Sequence, residues 1–185
     1  MGARILAMKW LLIVVIAIVG LLWWRVTAFS KRNELRVGDE APGFALPDQD
    51  GTTRNLAEFR GKWLALYFYP RDDTPGCTRQ ACAFRDDRHE LAALGAEVVG
   101  MSVDDVESHR DFAKEYSLPF PLLADAGGEV AARYGSIRDF GLFRLARRNT
   151  FLIDPQGRVA KVYLAVNAAS NSREVIEDLR RLQRG

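Results

Sequence analysis

Tyr67 to Asp86 reads YFYPRDDTPGCTRQACAFRD, and it joins two patterns of different period. Trp63 to Tyr69 (WLALYFY), which leads into it, is a continuous apolar, aromatic-rich run. That is the pattern of a central strand buried on both faces. The loop Pro70 to Gly76 follows at once. Ala81, Phe84, Leu91 and Leu94 then recur at helical spacing before the stop at Gly95, which predicts a helix over about Pro75 to Leu94. In open α/β sheets, the end of such a strand is where ligands bind.

Within that turn Thr74 is placed to cap the helix, Pro75 to be its pre-set first residue and Cys77 to fall at the third helical position. The unpaired amides and positive dipole end of the helix then face the Cys77 sulfur. Such surroundings favour the thiolate, the nucleophilic form of cysteine.

Outward from this unit, strands and helices alternate. Pro42, Pro47 and the turn Asp50-Gly51-Thr52 make Val37 to Leu56 a set of short extended pieces with a hairpin. Glu97 to Val103 reads as a second buried strand, Val106 to Tyr116 as a helix and Phe120 to Ala124 as a short strand. A helical turn lies around Glu129 to Tyr134. Thr150 to Asp154 and Arg158 to Val166 are strands joined by the turn Pro155-Gln156-Gly157. A last amphipathic helix carries Val175, Ile176, Leu179 and Leu182, with Asn171 and Glu174 as its capping pair. The pattern predicts a three-layer α/β/α domain with a mixed central sheet.

Pro70-x-x-x-Thr74-x-x-Cys77 resembles the active-site motif of the peroxiredoxins, and DDTPGCTxQAC is similar to the bacterioferritin-comigratory, or PrxQ, branch of that family. The likeness continues through APxFxLxDxxG (Ala41 to Gly51) and RNTFLIDPQG (Arg148 to Gly157), and covers nearly all of residues 36–185. It implies a thioredoxin-like fold and a thiol peroxidase without metal or bound cofactor, expected to be monomeric. Its substrates would be hydrogen peroxide and organic hydroperoxides, and its reductant thioredoxin or a similar dithiol. Cys77 would be the peroxidatic cysteine, Pro70 its shield, Thr74 a hydrogen-bond partner of the sulfur or the peroxide, and Arg148 the guanidinium beside them. Arg147 competes for that last role, but Arg148 shares strand parity with Thr150 and Leu152.

By the same resemblance Cys82 would resolve the Cys77 sulfenic acid as a disulfide. Residues five apart on a helix are separated by about 7.5 Å of rise and roughly 140° of rotation. A disulfide needs Cα atoms closer than about 7 Å. The first turns of the helix are therefore expected to unwind on oxidation. The rival enzyme reading is a membrane-anchored thiol–disulfide oxidoreductase, but that chemistry favours C-x-x-C where this chain has C-x4-C. A non-catalytic adaptor would leave Thr74 and Arg148 without a purpose.

Of 185 residues, 48% are hydrophobic and 27% charged, the mix of a foldable chain. The formal charge of +2 is unevenly spread. Residues 36–185 carry 21 basic and 23 acidic side chains, so the domain offers no general basic surface for nucleic acid. Two cysteines make no disulfide framework, and the two histidines, His89 and His109, are 20 positions apart, against a metal site. Both are expected on solvated helix faces. Asp72 and Asp73 are expected to shape the loop, the residues Arg85 to Arg88 to form an exposed charge cluster, and Tyr67 and Tyr69 to belong to the core strand.

Residues 1–35 read as an appendage. Trp10 to Trp24 is an apolar run of 15, and residues 5–24 hold one charge, Lys9. Twenty helical residues reach about 30 Å, the thickness of a bilayer's hydrocarbon core. This predicts a single-pass anchor over about 5–24 in a bacterial inner membrane, a polar linker to residue 35, and a domain from 36 to 185 on the extracytoplasmic side. A cleaved signal peptide, with Val26-Thr27-Ala28 as its cleavage site, is the rival. Between Tyr134 and Arg148, the side chains Phe140, Leu142, Phe143 and Leu145 are unusually apolar for a loop, and could meet core, membrane or reductase.

Overall fold

The computed structural model describes residues 35–184 together with Gly20. The chain separates into two units, Met1–Glu34 and Leu35–Gly185. Apart from Gly20, the predicted anchor over residues 5–24 and its linker lie outside the described residues. Among the described residues, no helix is long and apolar enough to cross a membrane.

The domain begins with a hairpin, β1 (Ala45–Pro47) and β2 (Thr53–Asn55), and a 3-10 turn over Leu56–Phe59. The expected central strand is β3 (Trp63–Phe68), followed by α1 (Pro75–Asp86) and α2 (Arg88–Ala93). Then come β4 (Ala96–Ser102), α3 (Val106–Glu115), β5 (Leu122–Ala124) and α4 (Glu129–Arg133). A second hairpin of β6 (Ile137–Asp139) and β7 (Arg144–Ala146) precedes β8 (Thr150–Ile153), β9 (Val159–Tyr163) and the closing helix α5 (Asn171–Leu182). The main sheet has the order β5-β4-β3-β8-β9. β3 pairs parallel with β4 and antiparallel with β8, the mixed sheet that the sequence predicts.

Alternation along β3 divides the core. Ala65, Tyr67 and Tyr69 join a cluster with Ala81, Phe84, Leu91, Phe112, Val175 and Leu179, contributed by α1, α2, α3 and α5. Leu64, Leu66 and Phe68 face the other way, onto Met101, Leu123, Val130, Tyr134 and Phe151. That second face is covered by the five-residue α4 and the N-terminal hairpin region, so the α/β/α layering is lopsided. Gly100 is required here: a Cβ at this position would sit 2.7 Å from the Tyr67 hydroxyl and 2.8 Å from Leu122.

Four expectations are corrected. The helix predicted over Pro75 to Leu94 is broken at Asp87, which caps the end of α1 and begins α2. Asp87 is buried and paired with Arg173, so the charge cluster is not wholly solvated. His109 is fully buried, because it shares the inner face of α3 with Phe112 and Ala113; His89 is exposed as expected. Asn171 does not cap α5. Ser170 precedes that helix, and the Asn171 side chain turns into the core.

Candidate active site

β3 delivers the chain to Tyr69 and half-buried Pro70, and the loop turns through Asp73 in the left-handed region at φ 51°. Aspartate tolerates that region better than most residues. The Asp73 carboxylate accepts from the Tyr116 hydroxyl at 2.9 Å, and this bond pushes the phenol of half-buried Tyr116 up to about 12. α1 opens at Pro75, with the Thr78 N–H donating to the Thr74 carbonyl at 2.9 Å. The amides of Gly76 and Cys77 are left with no intrahelical acceptor.

Thr74 holds the cap position by its backbone alone. Its hydroxyl donates to the Arg71 carbonyl at 3.1 Å and bonds neither the first-turn amides nor the Cys77 sulfur. Thr74 is thus the cap residue expected, but without the side-chain cap bond or a bond to the sulfur, since the loop carbonyl engages the hydroxyl proton. The oxygen lone pairs remain available to an incoming donor.

Cys77 is 1% exposed, and the Arg148 Nη2 donates to its sulfur at 3.2 Å. The competition between the two arginines is resolved by geometry: Arg147 is exposed and donates to the Ile137 carbonyl at 3.1 Å. Arg148 is itself held. Its Nη1 donates to Gln80 Oε1 at 2.8 Å, and Gln80 Nε2 donates to Asn171 Oδ1 at 3.0 Å. Thr150 donates to the same Asn171 oxygen at 2.7 Å. Gln80, Thr150 and Asn171 are fully buried. α1, β8 and α5 thus converge on one guanidinium. Gly76 permits its approach, because a Cβ there would lie 3.0 Å from Arg148 Nη2.

Cys82 is half-buried on the same unbroken helix, and both thiols are free. Tyr67 stacks on Tyr69 at 5.4 Å and on Phe84 at 4.9 Å between ring centroids. Burial, reinforced by the charges of Asp72 and the two cysteines, pushes the Tyr67 phenol well up. Burial does the same to Tyr69, whose hydroxyl donates to Asp72 at 2.7 Å. Asp72 also accepts from Ser108 at 2.7 Å and contacts His109 Nδ1 at 2.7 Å, while its own N–H donates to Asp104 at 2.8 Å. Asp72 does shape the loop, through a buried network that sequence reading did not anticipate. Among the described residues no group of three or more His, Cys, Asp or Glu side chains could hold a metal ion.

Sequence reading also missed Gln80, Asn171 and Thr150. Gln80 follows Cys77 by three positions and so shares its helix face, a usable signal. Asn171 has no such signal, because it meets Gln80 only through the packing of α5 on α1.

Residues 37–162 match the model of the AhpC/TSA family. The chain is 46% identical over 158 residues to the chloroplastic peroxiredoxin Q of Populus jackii, covering 85% of this chain and 71% of that protein. It is 50% identical over 127 residues to the chloroplastic peroxiredoxin Q of Triticum aestivum, covering 68% of this chain but only 58% of that one. The crystal structure of the peroxidoxin BcpB from Mycobacterium tuberculosis is 36% identical and superposes with a TM-score of 0.77, covering 80% of this chain and 98% of its own. The fold, the sequence match and the converging residues around one buried cysteine agree, and the chain belongs to the AhpC/TSA family as a peroxiredoxin of the Q/bcp branch.

Proposed function

We propose that the protein reduces hydroperoxides at Cys77, that Cys82 resolves the product, and that a thioredoxin-like dithiol completes the cycle. The observation that carries this reading is the guanidinium of Arg148 held 3.2 Å from a sulfur at the first turn of a helix. Thiolate sulfur attacks one peroxide oxygen and the O–O bond breaks. The departing oxygen takes the bonding electrons and a proton and leaves as alcohol or water, while Cys77 keeps the other oxygen as a sulfenic acid. Donors fixed before the reaction stabilise the charge that builds on the departing oxygen. Those donors are Arg148 and the free first-turn amides, with the Thr74 oxygen placed to accept from the peroxide O–H. The Cys82 thiol then displaces water from the sulfenic acid to give a disulfide, and exchange with an external dithiol restores both thiols.

The burial of Cys77 supports this reading over exchange with protein disulfides. A sulfur 1% exposed admits a small peroxide more readily than a folded disulfide partner. As part of the same reading, residues 5–24 tether the domain to a bilayer. Peroxide consumption with dithiothreitol or thioredoxin, by the wild type, Cys77→Ser and Cys82→Ser, tests the chemistry. Cys77→Ser abolishes turnover, whereas Cys82→Ser keeps a single turnover and loses recycling by thioredoxin. Undiminished turnover by Cys77→Ser would exclude the mechanism.

A further inference from the structure

The segment between Tyr134 and Arg148 is not a loose loop: Ala146 and Ile137 join the core, while the tip over 140–143 stands outside it. β6 and β7 pair in register, Ile137 with Ala146 and Asp139 with Arg144. The turn between them is internally bonded. Phe140 N–H donates to the Phe143 carbonyl at 3.0 Å, and Gly141 N–H, at φ 81°, donates to Asp139 at 2.8 Å. Arg144 ties the turn down, donating to Asp139 at 2.9 Å and to the Gly127 carbonyl at 3.0 Å. This ordered turn holds apolar side chains in water. Leu142 is 98% exposed, Phe143 57% and Phe140 54%, and the two rings stack at 4.8 Å between centroids. Isolated exposed leucines are ordinary, but a contiguous patch on a preorganised projection marks an interaction site.

Charge identifies what the patch meets. Residues 133–147 hold four arginines and one aspartate, while the rest of the domain from residue 36 holds 17 basic and 22 acidic side chains. The exposed Arg138 has no ion-pair partner among the described residues. An exposed apolar tip flanked by arginines, on a domain otherwise net acidic, fits a surface with phosphates outside and hydrocarbon beneath. We propose that the β6–β7 tip is a wedge that docks into anionic phospholipid, with Phe140, Leu142 and Phe143 entering the interface and Arg138 meeting phosphate. The proposal draws on the tethered reading in one respect. Residues 25–34 reach at most about 35 Å from the end of the apolar run, so a tether would keep lipid at high local concentration and let a small wedge suffice.

The test is hydrogen–deuterium exchange on the full chain with nanodiscs or vesicles of phosphatidylcholine alone, or with one third phosphatidylglycerol. Flotation is followed in parallel. The wedge predicts that amides of residues 140–143 exchange about tenfold more slowly on the anionic bilayer than on the neutral one. The triple variant Phe140→Ser, Leu142→Ser, Phe143→Ser loses this protection, Arg138→Glu weakens it, and both keep wild-type turnover of hydrogen peroxide. Equal exchange on both bilayers overturns the proposal, as does protection that grows with protein concentration without lipid, which would mean that a second copy covers the tip. Flotation of the triple variant reports on the tether alone. If the triple variant fails to float with either kind of vesicle yet the wild-type tip is protected by anionic ones, the tether falls and the wedge stands.

Discussion

His109 Nδ1 lies 2.7 Å from the Asp72 carboxylate, and this contact fastens the loop that leads into the helix of Cys77 to helix α3. The two residues are 37 positions apart in the chain, and both side chains are almost closed to solvent. Replacing His109 by Ala opens a cavity and leaves a buried acceptor short of a partner, at a cost of about 3 kcal/mol or more. Urea unfolding reads the stability change. Faster amide exchange in residues 70–74 locates it, and an unchanged unfolding midpoint would refute the role.

Arg148→Ala removes the donor nearest the sulfur and lowers the rate constant for peroxide reduction about 10²–10³-fold. Asn171→Ala acts only through the held guanidinium and lowers it about tenfold. Because the two residues work as one unit, the double variant is no slower than Arg148→Ala. Stopped-flow kinetics under single-turnover conditions measures all three, and multiplicative losses would show that Asn171 acts independently.

Gly76→Ala separates activity from stability. Alanine favours the helix by about 0.5–1 kcal/mol over glycine, yet its Cβ would meet Arg148 Nη2 at 3.0 Å. The expected variant melts no lower than wild type but reduces peroxide about tenfold more slowly, since sub-ångström displacement of a positioned donor is costly. Wild-type kinetics would mean that the guanidinium tolerates the shift.

If Cys82 resolves Cys77 as proposed, oxidation disrupts α1. Cys77 and Cys82 lie on one unbroken helix, where ideal geometry sets their Cα atoms about 8.7 Å apart, beyond disulfide range. Far-ultraviolet circular dichroism should therefore show helix loss in the disulfide form and recovery on reduction. Identical spectra would mean that the bond forms by another route.

Much of this architecture is readable in the chain. The apolar run at Trp63–Tyr69 and the turn into Pro75 locate the central strand and the reactive cysteine because both signals are local. Strand parity singles out Arg148 over Arg147 because period two is strict in a strand. Thr74 falls where its pattern places it along the backbone, but the direction of its hydroxyl depends on a neighbouring carbonyl that no pattern encodes. Asn171 resembles a cap because asparagine at a helix start usually is one. Only the docking of α5 against α1 shows that its side chain is a buried junction. The burial of His109 is recoverable, since Phe112 and Ala113 share its helix face.

The break at Asp87 would set a boundary to the proposed redox cycle. α2 is fastened to α5 by Arg173 and Arg180 on Glu90, and Gln183 donates to the Leu94 carbonyl at 2.7 Å. Melting that starts at Cys77 can run to the end of α1 and meet a hinge already free of helical geometry. The helix beyond that hinge is separately moored and need not participate. The motion stays the size of one short segment, so each catalytic round leaves the scaffold that must recapture the segment standing.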